Sequence, residues 1–140
     1  MFLSLIRITV IVLLSFPVAN ACVCAETPTV AESFSKATVV FEGTVIGRGK
    51  YGAWLRVDKS WKGATSRTIY LFTGNLRNDC DPWFGKPGER WLVYAQLTPL
   101  YRHENSKTPH TRKLMAHGCD RTTVLAAAAE DLRTLASLRR

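Results

Sequence analysis

Apolar positions along this chain recur first at helical spacing, then at every second residue, and at helical spacing again near the end. Thr27 or Thr29 can cap a short helix running to about Lys36, with Val30, Phe34 and Ala37 on one face. Residues 38–47 are rich in β-branched side chains and place Val39, Phe41 and, after Gly43, Val45 on alternate positions, which predicts a strand. Gly43 inside it marks a bulge or bend. Gly47-Arg48-Gly49-Lys50 reads as a turn and residues 51–61 as the returning strand, with Leu55, Val57, Lys59 and Trp61 in one phase. After a turn at residues 63–66, Ile69, Leu71 and Thr73 alternate with Tyr70 and Phe72 in a third strand, residues 68–73.

A turn-rich loop, residues 74–89, carries Cys80 and Trp83. Residues 90–97 form the fourth strand, and the unbroken run Trp91-Leu92-Val93-Tyr94-Ala95 predicts burial on both faces. Residues 102–111 are polar and contain Pro109, a loop; residues 113–117 can supply a fifth strand leading to Cys119. Asp120 or Thr122 then caps a closing helix with Val124, Leu125, Ala128, Leu132 and Leu135 in a stripe and Arg133, Arg139 and Arg140 toward its C-terminal end. Hairpin strands with a helix at each end predict a mainly β fold. The best single architecture is a five-stranded OB-like barrel with a short N-terminal helix and a C-terminal helix, and an α+β sandwich is the alternative.

The first 21 residues have the pattern of a secretory signal. Arg7 is the one charge, residues 8–16 are an almost unbroken apolar run, Pro17 breaks it, and Ala19-Asn20-Ala21 is a small-x-small cleavage site. The apolar stretch is shorter than the roughly 20 residues of a membrane span, and no second such stretch follows. Cleavage leaves a chain of 119 residues that begins at Cys22 and fits one domain, residues 22–140, secreted or periplasmic. Asn20 fits a lipoprotein cleavage box poorly, and lipid anchoring at Cys22 would leave an odd number of free thiols.

Cys22, Cys24, Cys80 and Cys119 are even in number and lie behind an export signal, which predicts disulfides rather than a zinc site. A bond between Cys22 and Cys24 closes a strained three-residue ring, so each is expected to reach a distant partner. Two long-range pairings satisfy that condition.

The formal charge of +8 falls to +7 with loss of Arg7. Arg48, Lys50, Lys59, Lys62, Arg67, Arg112 and Lys113 therefore make an anionic surface or polyanion a candidate partner, while export argues against nucleic acid. Trp54, Trp61, Trp83 and Trp91 are expected to pack in the core or at its rim. His103, His110 and His117 stand apart from any nucleophile, so no enzyme and no cofactor is expected.

Several of these features, in this order, are similar to the N-terminal, netrin-like domain of the tissue inhibitors of metalloproteinases. They are Cys22-Val23-Cys24 at the mature terminus, Phe41-Glu42-Gly43, Lys59-Ser60-Trp61-Lys62-Gly63, Cys80, Trp91-Leu92-Val93-Tyr94-Ala95 and Cys119. The resemblance implies an OB-like barrel with bonds Cys22–Cys80 and Cys24–Cys119. It implies inhibition of a zinc metallopeptidase, with Cys22 as the residue that meets the enzyme's zinc and Val23, Cys24 and Ala25 as the contact ridge. The chain departs from the family in having four cysteines, and so no third disulfide, and in carrying Asn78-Asp79 before Cys80 and Asp81-Pro82 after it. A non-inhibitory netrin-like module that binds a protein or a polyanion is the alternative function.

Overall fold

Five consecutive residues, Trp91 to Ala95, are buried, and the architecture follows from where each side of that run points. The computed structural model describes residues 24–73, 82, 84–100, 107 and 111–139. Trp91, Val93 and Ala95 face one apolar cluster together with Val39, Phe41, Val45, Ala53, Leu55, Ile69 and Leu71. Leu92 and Tyr94 face a second, shared with Val30, Val40, Ala128 and Leu135. The first cluster is the interior of a barrel, and the second is the layer between the barrel wall and two helices.

The strands are β1 (Val39–Gly49), β2 (Gly52–Lys62), β3 (Thr68–Phe72), β4 (Arg90–Leu100), β5 (Thr111–Met115) and the two-residue β6 (Thr123–Val124). Helix α1 (Val30–Lys36) precedes β1, and helix α2 (Ala129–Leu138) closes the chain after a single 3₁₀ turn at Leu125–Ala127. The sheet runs β1-β2-β3-β5-β4-β6, and pairing of β1 with β4 closes the first five strands into a barrel. This is the mainly β, OB-like barrel with flanking helices that the sequence predicts. All pairings are antiparallel except the single bridge between Phe72 of β3 and Met115 of β5.

Three irregularities between β1 and β2 bend the wall. The register steps from Glu42 opposite Lys59 to Gly43 opposite Val57, which leaves Asp58 as an extra residue in β2. One extra residue reverses the phase of everything beyond it. The inward series Ala53, Leu55, Val57 therefore resumes at Ser60, opposite the buried Phe41, and Trp61 goes to the helix side. Sequence phase had put Lys59 and Trp61 with Leu55. The indole N–H of Trp61 donates to Glu42 Oε1 at 3.1 Å, and the Lys59 ammonium sits 3.8 Å from the ring centroid.

Other expectations shift for similarly local reasons. β1 continues to Gly49, so the turn is at residues 50–51 rather than 47–50. β5 starts at Thr111, two residues earlier than the pattern placed it, and the closing helix starts at Ala129. Residues 123–127 are a bridge and a 3₁₀ turn because Thr123 and Val124 pair with Leu92 and Trp91. Helix α1 agrees with the sequence down to its cap. Thr29 Oγ1 accepts from the Glu32 amide, and Glu32 Oε2 accepts from the Thr29 amide at 2.8 Å.

Gly52 is fixed by close approach. A Cβ there would lie 2.0 Å from the carbonyl oxygen of Leu71 on β3, whereas one on Gly47 would meet nothing within 4 Å. Gly52→Ala is therefore expected to cost about 1–3 kcal/mol or more by forcing β2 from β3, and Gly47→Ala well under 1 kcal/mol. Urea unfolding of both variants checks the contrast.

Candidate functional site

The predicted contact ridge begins at the mature terminus, and the question for the structure is what holds that segment in place. Cys22, Val23 and Cys80 lie outside the described residues, as does the bond Cys22–Cys80. Cys24 and Ala25 are described, and Cys24 is bonded to Cys119 with 5.7 Å between the Cα atoms. This is one of the two bonds that the family resemblance implies. It joins residues 95 apart in sequence. A crosslink over so long a loop stabilises by about 4–5 kcal/mol through restriction of the unfolded chain.

Cys119 sits in the turn that leads into β6, and that turn holds the N-terminal segment a second time. Arg121 has φ of 65°, the left-handed region that a side chain with a Cβ rarely adopts. That conformation aims its guanidinium at two targets. Nη1 donates to the carbonyl oxygen of Pro28 at 3.2 Å, while Nε and Nη2 donate to Asp131 at 2.9 and 2.5 Å. The two-toothed bond fixes the fork in plane, which a single contact would not.

Asp131 is 5% exposed and lies in the first turn of α2, where a negative charge also faces the positive end of the helix. Its Oδ2 accepts a further bond, 2.9 Å, from the hydroxyl of Tyr94 on β4. Burial, and then the bond to Asp131, push the Tyr94 hydroxyl well above the usual phenol range, so it remains a donor. The bonds that Arg121 itself makes to Asp131 raise its guanidinium further, so its charge is permanent at any working pH. Thr122, the next residue, is buried and bonds both backbone groups of Tyr94, accepting from the amide at 3.0 Å and donating to the carbonyl at 3.1 Å. Thr122 therefore does not cap the closing helix, the role that sequence had offered it. Its hydroxyl completes the hydrogen bonding of β4 just beyond the last pairing with β6.

The site is thus a short N-terminal segment attached to the barrel at two points four residues apart, Cys24 and Pro28. Between them Ala25, Glu26 and Thr27 are exposed. Sequence reasoning found Cys24, Cys119 and Ala25 but missed Arg121, Thr122 as a strand partner, Asp131 and Tyr94. The available signal was faint: Asp131 is an acid inside the apolar stripe of the closing helix, and Tyr94 is a hydroxyl inside a run otherwise without polar side chains.

Of the three tryptophans described, all expected in the core or at its rim, Trp91 is buried and Trp61 partly so, while Trp54 is 46% exposed and packs on Tyr70. Trp83 lies outside the described residues. Among the described residues no helix is long and apolar enough to cross a membrane. The chain matches no family model and no curated protein sequence.

Asp131→Ala leaves the Tyr94 hydroxyl and the Arg121 guanidinium without their shared acceptor, and is expected to destabilise by about 3–5 kcal/mol. Denaturant unfolding measures the loss, and limited proteolysis should show residues 25–29 cut sooner.

Proposed function

We propose that this chain is an exported inhibitor of zinc metallopeptidases, similar in mode to the tissue inhibitors of metalloproteinases. The observation that carries the reading is the Cys24–Cys119 bond, because it holds the third residue of the expected mature chain against the barrel. The Arg121 contact to Pro28 and the closed five-stranded barrel support it in the same sense.

A catalytic zinc keeps one coordination position for water and can expand to five ligands. After removal of the leader, the α-amine and carbonyl oxygen of Cys22 are the two atoms of one residue that can chelate there. Val23 follows into the enzyme's specificity pocket, and Cys24 and Ala25 continue the contact. Burying the valine side chain contributes roughly 1.5–3 kcal/mol, too little for tight inhibition by itself. The tether supplies the rest by removing most of the ordering cost that a free peptide end would meet on binding. The protein is then a ligand to another molecule's metal and performs no chemistry of its own.

The amine binds metal as the neutral base, and an ordinary α-amine titrates at about 7.7–8.0. Binding therefore releases a proton, and inhibition weakens about tenfold for each pH unit below that range.

The test compares the mature protein with a form carrying one extra alanine before Cys22, against a panel of zinc endopeptidases. Potency should fall by two orders of magnitude or more in the extended form. It should also fall in acid relative to a small-molecule zinc chelator assayed in parallel. Equal potency of the two forms removes the mechanism.

A further inference from the structure

The helices cover the outer wall of the barrel over β1 and β4, but the outer wall of β2 and β3 carries a strip of aromatic side chains, of which Trp54 and Tyr51 are exposed and Tyr70 and Phe72 half-buried. Trp54 on β2 lies opposite Tyr70 on β3, with ring centroids 4.8 Å apart. The Tyr70 hydroxyl accepts from the amide of Tyr51 at 3.3 Å, and the Tyr51 ring lies 6.2 Å from that of Phe72. The four rings thus form one continuous band from the middle of β2 to the β1–β2 turn.

Trp54 is 46% exposed and Tyr51 36%, and the neighbouring Ile46, at a register shift of β1, is 48% exposed. Opposite Trp54 on the β1 side is Gly47, so no side chain shields the indole from that flank. Gly49 likewise has no Cβ to displace Tyr70, whose hydroxyl would lie 2.7 Å from it. The glycines in the β1 half of this hairpin leave the rings open.

Two cations, Lys50 and Arg56, border the band. Arg48 pairs with the inward-facing Ala53, so register sets it on the other face of the hairpin, and Arg67 lies before the start of β3. The Lys50 ammonium lies 5.0 Å from the Tyr51 centroid, at the turn end of the band. Arg56 follows Trp54 by two residues on the same strand, with its Nε held 3.0 Å from Asp58, the one carboxylate of the two strands.

We infer that this band is a binding surface for an anionic glycan, distinct from the N-terminal ridge and independent of it. Sugar rings present apolar C–H faces that stack on flat aromatic side chains, and their carboxylates pair with cations at the edge. Single-stranded nucleic acid has a related chemistry, stacking plus anionic charge. The Cys24–Cys119 bond favours the glycan, because disulfides persist in oxidising compartments outside the cytosol.

The test is isothermal titration of the mature protein with polygalacturonate, against neutral dextran and an oligo-dT strand. Three variants accompany it: Trp54→Ala, Trp54→Phe and Trp54→Lys. Polygalacturonate should bind, dextran and oligo-dT should bind at least tenfold more weakly, and Trp54→Ala should lose about tenfold in affinity. Trp54→Phe keeps a ring and should retain most of the binding, which separates stacking from misfolding. Trp54→Lys is decisive, since it adds a cation and removes the ring: weaker binding supports the band, and tighter binding overturns it in favour of bulk charge. The inference is also overturned if oligo-dT binds as tightly as the glycan. Binding unchanged in Trp54→Ala, or a glycan-independent dimer that Trp54→Ala dissociates, overturns it as well.

Discussion

One turn, residues 118–121, carries the attachment of the N-terminal segment to the rest of the molecule. Its sulfur holds Cys24, its guanidinium holds the carbonyl of Pro28, and the same guanidinium is held in turn by Asp131 of α2. Asp131 also accepts from Tyr94, whose backbone is bonded by Thr122, the residue that follows the turn. The N-terminal segment, the central strand of the barrel and the closing helix therefore meet at a single set of charge-assisted bonds. The left-handed backbone of Arg121 is unfavourable for a residue with a Cβ, and it persists because it is the geometry in which one side chain reaches both partners.

The barrel makes this junction rigid. β4 is buried on both faces, with Trp91, Val93 and Ala95 inside and Leu92 and Tyr94 under the helices. Displacing the junction would move Tyr94, and with it the strand that pairs with β1, β5 and β6. A terminal segment tied to such a strand loses little conformational freedom on meeting a partner, which is the property the proposed inhibitory mode requires. The helices cover β1 and β4 and leave the aromatic outer wall of β2 and β3 open, so the two candidate surfaces belong to different faces of the barrel.

The fold was largely legible because its signals are local. Alternation at Val39–Phe41 and Ile69–Leu71, the apolar run of β4 and a capping threonine before the first helix each carry their own meaning. What failed was phase beyond a bulge: nothing in the residues around Asp58 says that one of them is extra, so Trp61 was placed on the wrong side. The closing helix was started too early because Thr122 and Val124 satisfy a helical pattern as well as they satisfy the edge of β4. At the site, cysteines declare themselves in sequence, whereas Arg121 looks like an ordinary surface charge, and Asp131 differs from one only by its place in an apolar stripe, until the fold brings them to 2.5 Å. The exposure of Trp54 was illegible for the same reason, since an aromatic residue on a strand has the same pattern whether its outer face is covered or bare.

The central claim is that a free terminal amine sits at the end of a segment clamped by sulfur bridges. Non-reducing peptide mapping of the exported protein, with mass analysis of its first peptide, measures both parts at once. The account predicts a chain starting at Cys22 with an unmodified amine, Cys24 linked to Cys119 and Cys22 linked to Cys80. An acylated or uncleaved terminus, or Cys24 linked to Cys80, would contradict it.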